Sequence, residues 1–243
     1  MAQSELVIAL DYSTPEPAQK LIMEMDGLPV IFKVGLELFM GTGPAWVKEL
    51  TESGRRVFLD LKFHDIPNTV AQAVVQAAAL GAEFTTVHLS GGKPMLDHIQ
   101  TRLVAERAKG TLARLPKVLG VSVLTSFREE DWIANVSHVA KMSGIRSIDD
   151  SVMHFSDLAA NHPALAGMVC SPKEVAAIRS KHRNLFLMVP GIRPLGGDTH
   201  DQARVVTPGE ASGMGASAIV MGRPITQSAN PRQTVESILK EIS

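Results

Sequence analysis

A carboxylate, an ammonium and a second carboxylate stand close together in the chain at Asp60, Lys62 and Asp65. Side chains of these types hold and move protons. A lysine flanked by carboxylates is favoured in its charged form, which suits a general acid and disfavours a neutral Schiff-base nucleophile. The spacing supplies geometry as well. Val57, Phe58, Leu59, Leu61 and Phe63 are strand formers around Asp60 and Lys62. Alternate residues of a strand share a face, so the two charges are expected to leave one strand side by side. Ile66-Pro67 follows Asp65. The residue before a proline avoids the α region, and proline suits the first helical turn. The strand is therefore expected to end near Phe63 and a helix to begin near Pro67. Asp65 by itself reads as well as a helix cap or turn residue.

Those charges need a scaffold, and the rest of the chain alternates strand-like and helix-like segments. Strand candidates fall at 6–10, 30–36, 57–63, 83–89, 118–124, 167–170, 185–189 and 218–221. Between them run helical faces: Ala18, Leu21, Ile22 and Met25 after Thr14-Pro15; 45–53 after a turn at 41–44; Val70, Val74 and Ala78; Leu96, Ile99 and Leu103; 149–161; Val175 and Ile178; 207–214; and Val235, Ile238, Leu239 and Ile242. Residues 127–148 break the rhythm; helix can be drawn within them, but its pattern is weak, and they read most simply as a solvated connection. Eight strand–helix units in 243 residues predict an α/β protein, a single (β/α)8 TIM barrel domain over 1–243, with an open doubly wound sheet as the competing fold.

In such a barrel the strand ends bring Asp11, Lys33, Asp60, Lys62, His88, Thr125 and Arg193 to one mouth, with Arg223 close behind Gly222. Any one of them alone reads most simply as a solvated strand-end residue. Together, Lys33, Asp60, Lys62 and Asp65 make a cluster of alternating sign, and charges held inside a fold need such partners. The loops after the seventh and eighth strands carry Pro190-Gly191-Ile192-Arg193 and Met221-Gly222-Arg223-Pro224. Barrels often bind phosphate there, glycine letting the backbone approach and arginine pairing with the anion.

Other classes of function find less support. A formal net charge of −1 argues against a general nucleic-acid or membrane-surface binder. No run approaches the ~18 apolar residues of a membrane span, and the first residues lack a signal-peptide pattern. Cys170, the one cysteine, reads as a small core residue and points to a reducing compartment, so a cytoplasmic location is expected. Gly41-Thr42-Gly43 lacks the remainder of a dinucleotide fingerprint. His64, His138, His154, His162, His182 and His200 show no metal spacing and are expected on surfaces or in loops.

The run Asp60-Leu61-Lys62-Phe63-His64-Asp65-Ile66-Pro67-Asn68-Thr69 resembles the signature of the orotidine 5'-phosphate decarboxylase family. The likeness extends over nearly the whole chain, through Ala9-Leu10-Asp11, Phe32-Lys33-Val34-Gly35, Leu124-Thr125-Ser126, Pro190-Gly191-Ile192-Arg193, Asp201-Gln202 and Gly222-Arg223-Pro224-Ile225. The resemblance implies a homodimeric barrel that converts orotidine 5'-monophosphate to uridine 5'-monophosphate with no metal or organic cofactor. It implies Asp11 and Lys33 on the ribose hydroxyls, Asp60 against the substrate carboxylate and Lys62 as the general acid. Asp65, Ile66 and Thr69 would reach in from the other subunit. Thr125 would meet the pyrimidine. Gln202 and Arg223 would hold the phosphate, with Arg193 and Gly222 completing that end. Two other readings stay open: a related sugar-phosphate barrel working through magnesium and an enediolate, and a non-catalytic nucleotide-binding barrel.

Overall fold

Short apolar runs rich in Val, Ile, Leu and Phe form the strands, as β propensity and burial on both faces require. A computed structural model describes residues 3–112, 114–143, 145–194 and 206–243. The strands are β1 (Glu5–Ala9), β2 (Val30–Gly35), β3 (Val57–Phe63), β4 (Phe84–His88), β5 (Lys117–Val121), β6 (Gly167–Val169), β7 (Phe186–Pro190) and β8 (Ala218–Met221). Each is parallel to the next, and β8 pairs back onto β1, so the sheet is a closed barrel and not the open alternative.

Helices α1 (Pro15–Glu24), α2 (Leu36–Glu52), α3 (Pro67–Ala79), α4 (Gly92–Ala108), α5 (Glu129–Ser143), α6 (Ile148–Asn161), α7 (Val175–Lys181), α8 (Pro208–Gly213), α9 (Arg223–Thr226) and α10 (Pro231–Glu241) surround it. Several starts are written locally. Proline occupies the first turn of α1, α3 and α10, where its missing N–H costs nothing. Thr207 and Glu210 close a reciprocal capping box on α8.

Side chains fill the barrel in layers. Val7, Ala9, Ile31, Phe58, Phe84, Leu119, Met188, Ala218 and Val220 form the interior cluster, and a larger apolar cluster lies between strands and helices. The amino-terminal end is closed by charge. Glu83, whose side chain is 6% exposed, takes two hydrogen bonds from Arg56, at 2.8 and 2.9 Å, while Arg56 also reaches Glu5 at 2.6 Å. Lys117 lies 3.5 Å from Glu83 and 4.7 Å above the Phe84 ring. The Arg56 guanidinium holds the Glu83 carboxyl below its ordinary value of 4.5. A depressed carboxyl stabilises the fold above its unfolded value, and that contribution is lost as pH falls through the folded one. Arg56→Met is expected to cost about 2 kcal/mol at neutral pH, less than a fully buried pair because Arg56 is partly exposed and Arg114 and Lys117 remain. The difference from the parent should shrink below pH 4.5, which urea melts at pH 7 and pH 3.5 will read.

Two local expectations need correction. The turn placed at 41–44 survives as a kink at Gly43 (φ 74°), but helix is present on both sides, so α2 begins at Leu36. The supposed connection at 127–148 contains α5, and Trp132 within it donates to Ser151 of α6 at 2.8 Å. His162 lies in the loop after α6, one of the two placements expected, and is buried there, with Nε2 3.2 Å from Asp97. Cys170 is buried as expected, and burial pushes its thiol pKa up. His200 lies outside the described residues.

Candidate active site

The site starts from three neighbouring strands. Lys33 on β2 extends its Nζ to 3.0 Å from Asp11 Oδ1, just beyond β1, and 3.9 Å from Asp60 Oδ2 on β3. Lys62 Nζ lies 2.9 Å from the same Asp60 oxygen. Asp60 therefore stands between two ammonium groups. Lys33 and Asp60 are nearly buried, their side chains 12% and 11% exposed, whereas Lys62 is 38% exposed. The inner pair is thus fixed by the fold, and the outer ammonium is held by its anion yet open to a ligand. Asp11, Lys33, Gly35, Asp60 and Lys62 line a cavity of about 320 Å³ at the carboxyl end of the barrel. A larger depression of about 900 Å³ lies outside the barrel against α1 and α10. No strand-end lysine or carboxylate lines it, so volume alone does not locate the chemistry.

The route by which Lys62 reaches Asp60 differs from simple alternation. The β3–β4 register shifts between Leu59 and Phe63, and Lys62 has φ of 51°. A non-glycine residue in this left-handed region costs about 1–2 kcal/mol. The β3 strand therefore bulges where its charges emerge, a device that re-aims side chains beside active sites. Thr86 on β4 completes the arrangement. Its wholly buried Oγ1 accepts the Lys62 backbone N–H at 2.9 Å and donates to Asp60 Oδ1 at 2.9 Å.

Nothing in the sequence marked Thr86 as more than a strand former. Its only signal was position, two residues before His88 and hence on the same face. His88 stands at the same mouth, its ring centroid 5.4 Å from that of the exposed His64. Burial first, then the nearby His64 and Lys62, push the His88 pKa below its ordinary value.

The two glycines next to the cluster are there for space. A Cβ on Gly35 would stand 3.1 Å from Lys33 Nζ, and one on Gly222 would stand 3.3 Å from Asp11 Oδ2. Gly222 also precedes α9, the short helix opened by Arg223, so the Asp11–Lys33 end of the cluster adjoins the loop after β8. Arg223 is exposed, and Arg193 follows β7 with its backbone N–H on Val206 O at 3.1 Å.

The remaining expected residues are spread more widely. Asp65 is exposed, and its Oδ1 accepts the Ile66 N–H at 2.6 Å. It caps no helix through its side chain, since Ile66 is the N-cap of α3. Ile66, 68% exposed, and Thr69 face outward beside it. Thr125 is exposed in the turn after β5. Gln202, with Asp201, lies outside the described residues. Among the described residues no group of three His, Cys, Asp or Glu side chains is arranged to hold a metal ion, and no helix is long and apolar enough to cross a membrane.

Fold and site define a (β/α)8 barrel carrying an ion-paired lysine centre at the carboxyl ends of β2 and β3. Residues 4–238 match the model of the Orotidine 5'-phosphate decarboxylase / HUMPS family. The chain belongs to that family. It is 45% identical to an orotidine 5'-phosphate decarboxylase of Synechococcus sp. (strain CC9311) over 227 residues, 93% of this chain and 90% of that one. It is 42% identical to the enzyme of that name from Lactobacillus delbrueckii subsp. bulgaricus over 242 residues, 98% and 96% of the two chains. Among solved structures it is similar to orotidine 5'-phosphate decarboxylase from Lactobacillus acidophilus, with a TM-score of 0.83, 35% identity and 99% of each chain covered.

Proposed function

We propose that this chain is a cofactor-free decarboxylase that converts orotidine 5'-monophosphate to uridine 5'-monophosphate in pyrimidine synthesis. The observation that carries the reading is the Lys62 ammonium, fixed 2.9 Å from the nearly buried Asp60 and open to the cavity. Loss of carbon dioxide breaks the bond to ring carbon C6 and leaves its electron pair there. A fixed cation beside C6 stabilises that charge as it develops, and Lys62 then gives C6 a proton. Asp60 lies against the substrate carboxylate, and their repulsion is relieved as carbon dioxide departs.

The other roles follow the cavity outward. Asp11 and Lys33 hold the ribose hydroxyls. Thr125 meets the pyrimidine. Arg193, Gln202, Gly222 and Arg223 take the phosphate, and the closeness of Gly222 to Asp11 supports phosphate and ribose sites side by side. Phosphate is remote from the reacting bond, so its binding energy can serve to exclude water and orient the ring.

The working unit is a homodimer in the cytoplasm. Asp65, Ile66 and Thr69 enter the site of the other subunit, a reading supported by the exposure of all three and by the large apolar side chains Leu36, Met40 and Ile66 left exposed after β2 and β3. Mixing subunits tests this. Lys62→Ala and Asp65→Asn, each nearly inactive alone, are expected to regain about a quarter of parental activity when refolded together, because half the dimers are hybrids with one intact site. No regain would place Asp65 in its own subunit's site. The reaction itself is tested by incubating the purified protein with orotidine 5'-monophosphate and measuring uridine 5'-monophosphate and carbon dioxide in equal amounts. Turnover of a hexulose phosphate with magnesium, and none of orotidine 5'-monophosphate, would move the chain to the sugar-phosphate branch.

A further inference from the structure

We propose that Thr86 is a positioning residue for the reaction, holding both the backbone of Lys62 and the carboxylate of Asp60 in their working geometry. The inference rests on the reading of Lys62 as the acid. A hydroxyl has one proton to give. At Thr86 the partners assign it: Oγ1 accepts from the Lys62 N–H, so its proton goes to Asp60 Oδ1, each at 2.9 Å. Asp60 Oδ1 is thereby engaged, and Oδ2 faces the two ammonium groups, 2.9 Å from Lys62 and 3.9 Å from Lys33. Thr86 thus sets the rotation of the carboxylate.

The same hydroxyl serves the backbone. Residues 60–62 fall in the interval where the β3–β4 register shifts, so Lys62 has no ladder partner on β4, and its N–H would be an unsatisfied donor within the fold. Thr86 supplies that acceptor and secures the left-handed turn from which the Lys62 side chain departs. A wholly buried threonine has no solvent with which to share these duties. One hydroxyl therefore couples the direction of the acid to the direction of its anion.

The test compares Thr86→Val, which keeps shape and branching but not the hydroxyl, with Thr86→Ser, which keeps the hydroxyl. Thr86→Ala repeats the hydroxyl deletion in a smaller side chain that is free of any packing fault peculiar to valine. Decarboxylation of orotidine 5'-monophosphate, affinity for uridine 5'-monophosphate and thermal midpoint are read for each, beside Lys62→Ala. Thr86→Val is expected to lose on the order of 10²-fold in kcat, as a misplaced catalytic group does, with KM and product affinity within about 3-fold of the parent. Thr86→Ser should recover to within about 5-fold of the parental kcat whatever its thermal midpoint. A kcat for Thr86→Val near the parent's, or a Thr86→Ser as slow as Thr86→Val, overturns the assignment. If Lys62→Ala is inactive in the same series, that failure belongs to Thr86 alone. An active Lys62→Ala would instead overturn the reading of the acid on which the proposal stands.

Discussion

Lys62→Ala is expected to lose on the order of 10⁵-fold in kcat, combining the loss of a general acid with the loss of a fixed cation at the developing charge. The fold should tolerate the change. Lys62 is partly exposed, its Nζ makes one close ion pair, and the backbone N–H that meets Thr86 is retained in alanine. Alanine does keep the unfavourable left-handed backbone, so the thermal midpoint should move by only a few degrees. Affinity for uridine 5'-monophosphate should stay within about tenfold, since the product makes no demand on a proton at C6. Stopped-flow absorbance and a binding titration separate these terms. A large fall in product affinity with little change in kcat would make Lys62 a binding residue only.

Asp60→Asn is the second large effect, on the order of 10³-fold in kcat. The amide is close to the carboxylate in size and can still meet Thr86, so packing is preserved while charge is removed. Two ammonium groups, at 2.9 and 3.9 Å from the former Oδ2, are then left facing each other without their shared anion. Lys33 retains Asp11, whereas Lys62 loses the one carboxylate within ion-pair distance of it among the described residues of its own chain. The fall should therefore appear in kcat, with KM unchanged or lower because repulsion of the substrate carboxylate is also gone. A variant whose KM rises while kcat holds would show that Asp60 serves binding instead.

These two residues were legible in the chain because their surroundings were emphatic. A run of strand formers interrupted by Asp60 and Lys62, then Asp65-Ile66-Pro67, marks both the end of β3 at Phe63 and the start of α3 at Pro67. The eight strands were legible for the same reason, each being an apolar run too short for a helix. What escaped notice depended on partners distant in sequence. Thr86 carries no charge, and its type is ordinary for a strand, so its role exists only through the β3–β4 register shift. The left-handed turn at Lys62 was hidden behind alternation that brings the same two side chains together by another path. α5 was obscured because its mixed charges blur the apolar stripe that identifies a helix, and α9 because one turn of helix carries no periodicity. The burial of His162 within its loop was hidden because Asp97, distant in sequence, provides the partner for its ring.

In the proposed reaction Lys62 is a proton donor that works without a metal. Orotidine 5'-monophosphate is mixed with the parent protein and with Lys62→Ala, each in molar excess over substrate and in excess chelator, and the ultraviolet absorbance of the substrate is followed. Complete loss with the parent and a flat trace with Lys62→Ala is the expected result. A parent that stalls in chelator and recovers on adding magnesium, or a Lys62→Ala trace that falls with the parent's, would contradict it.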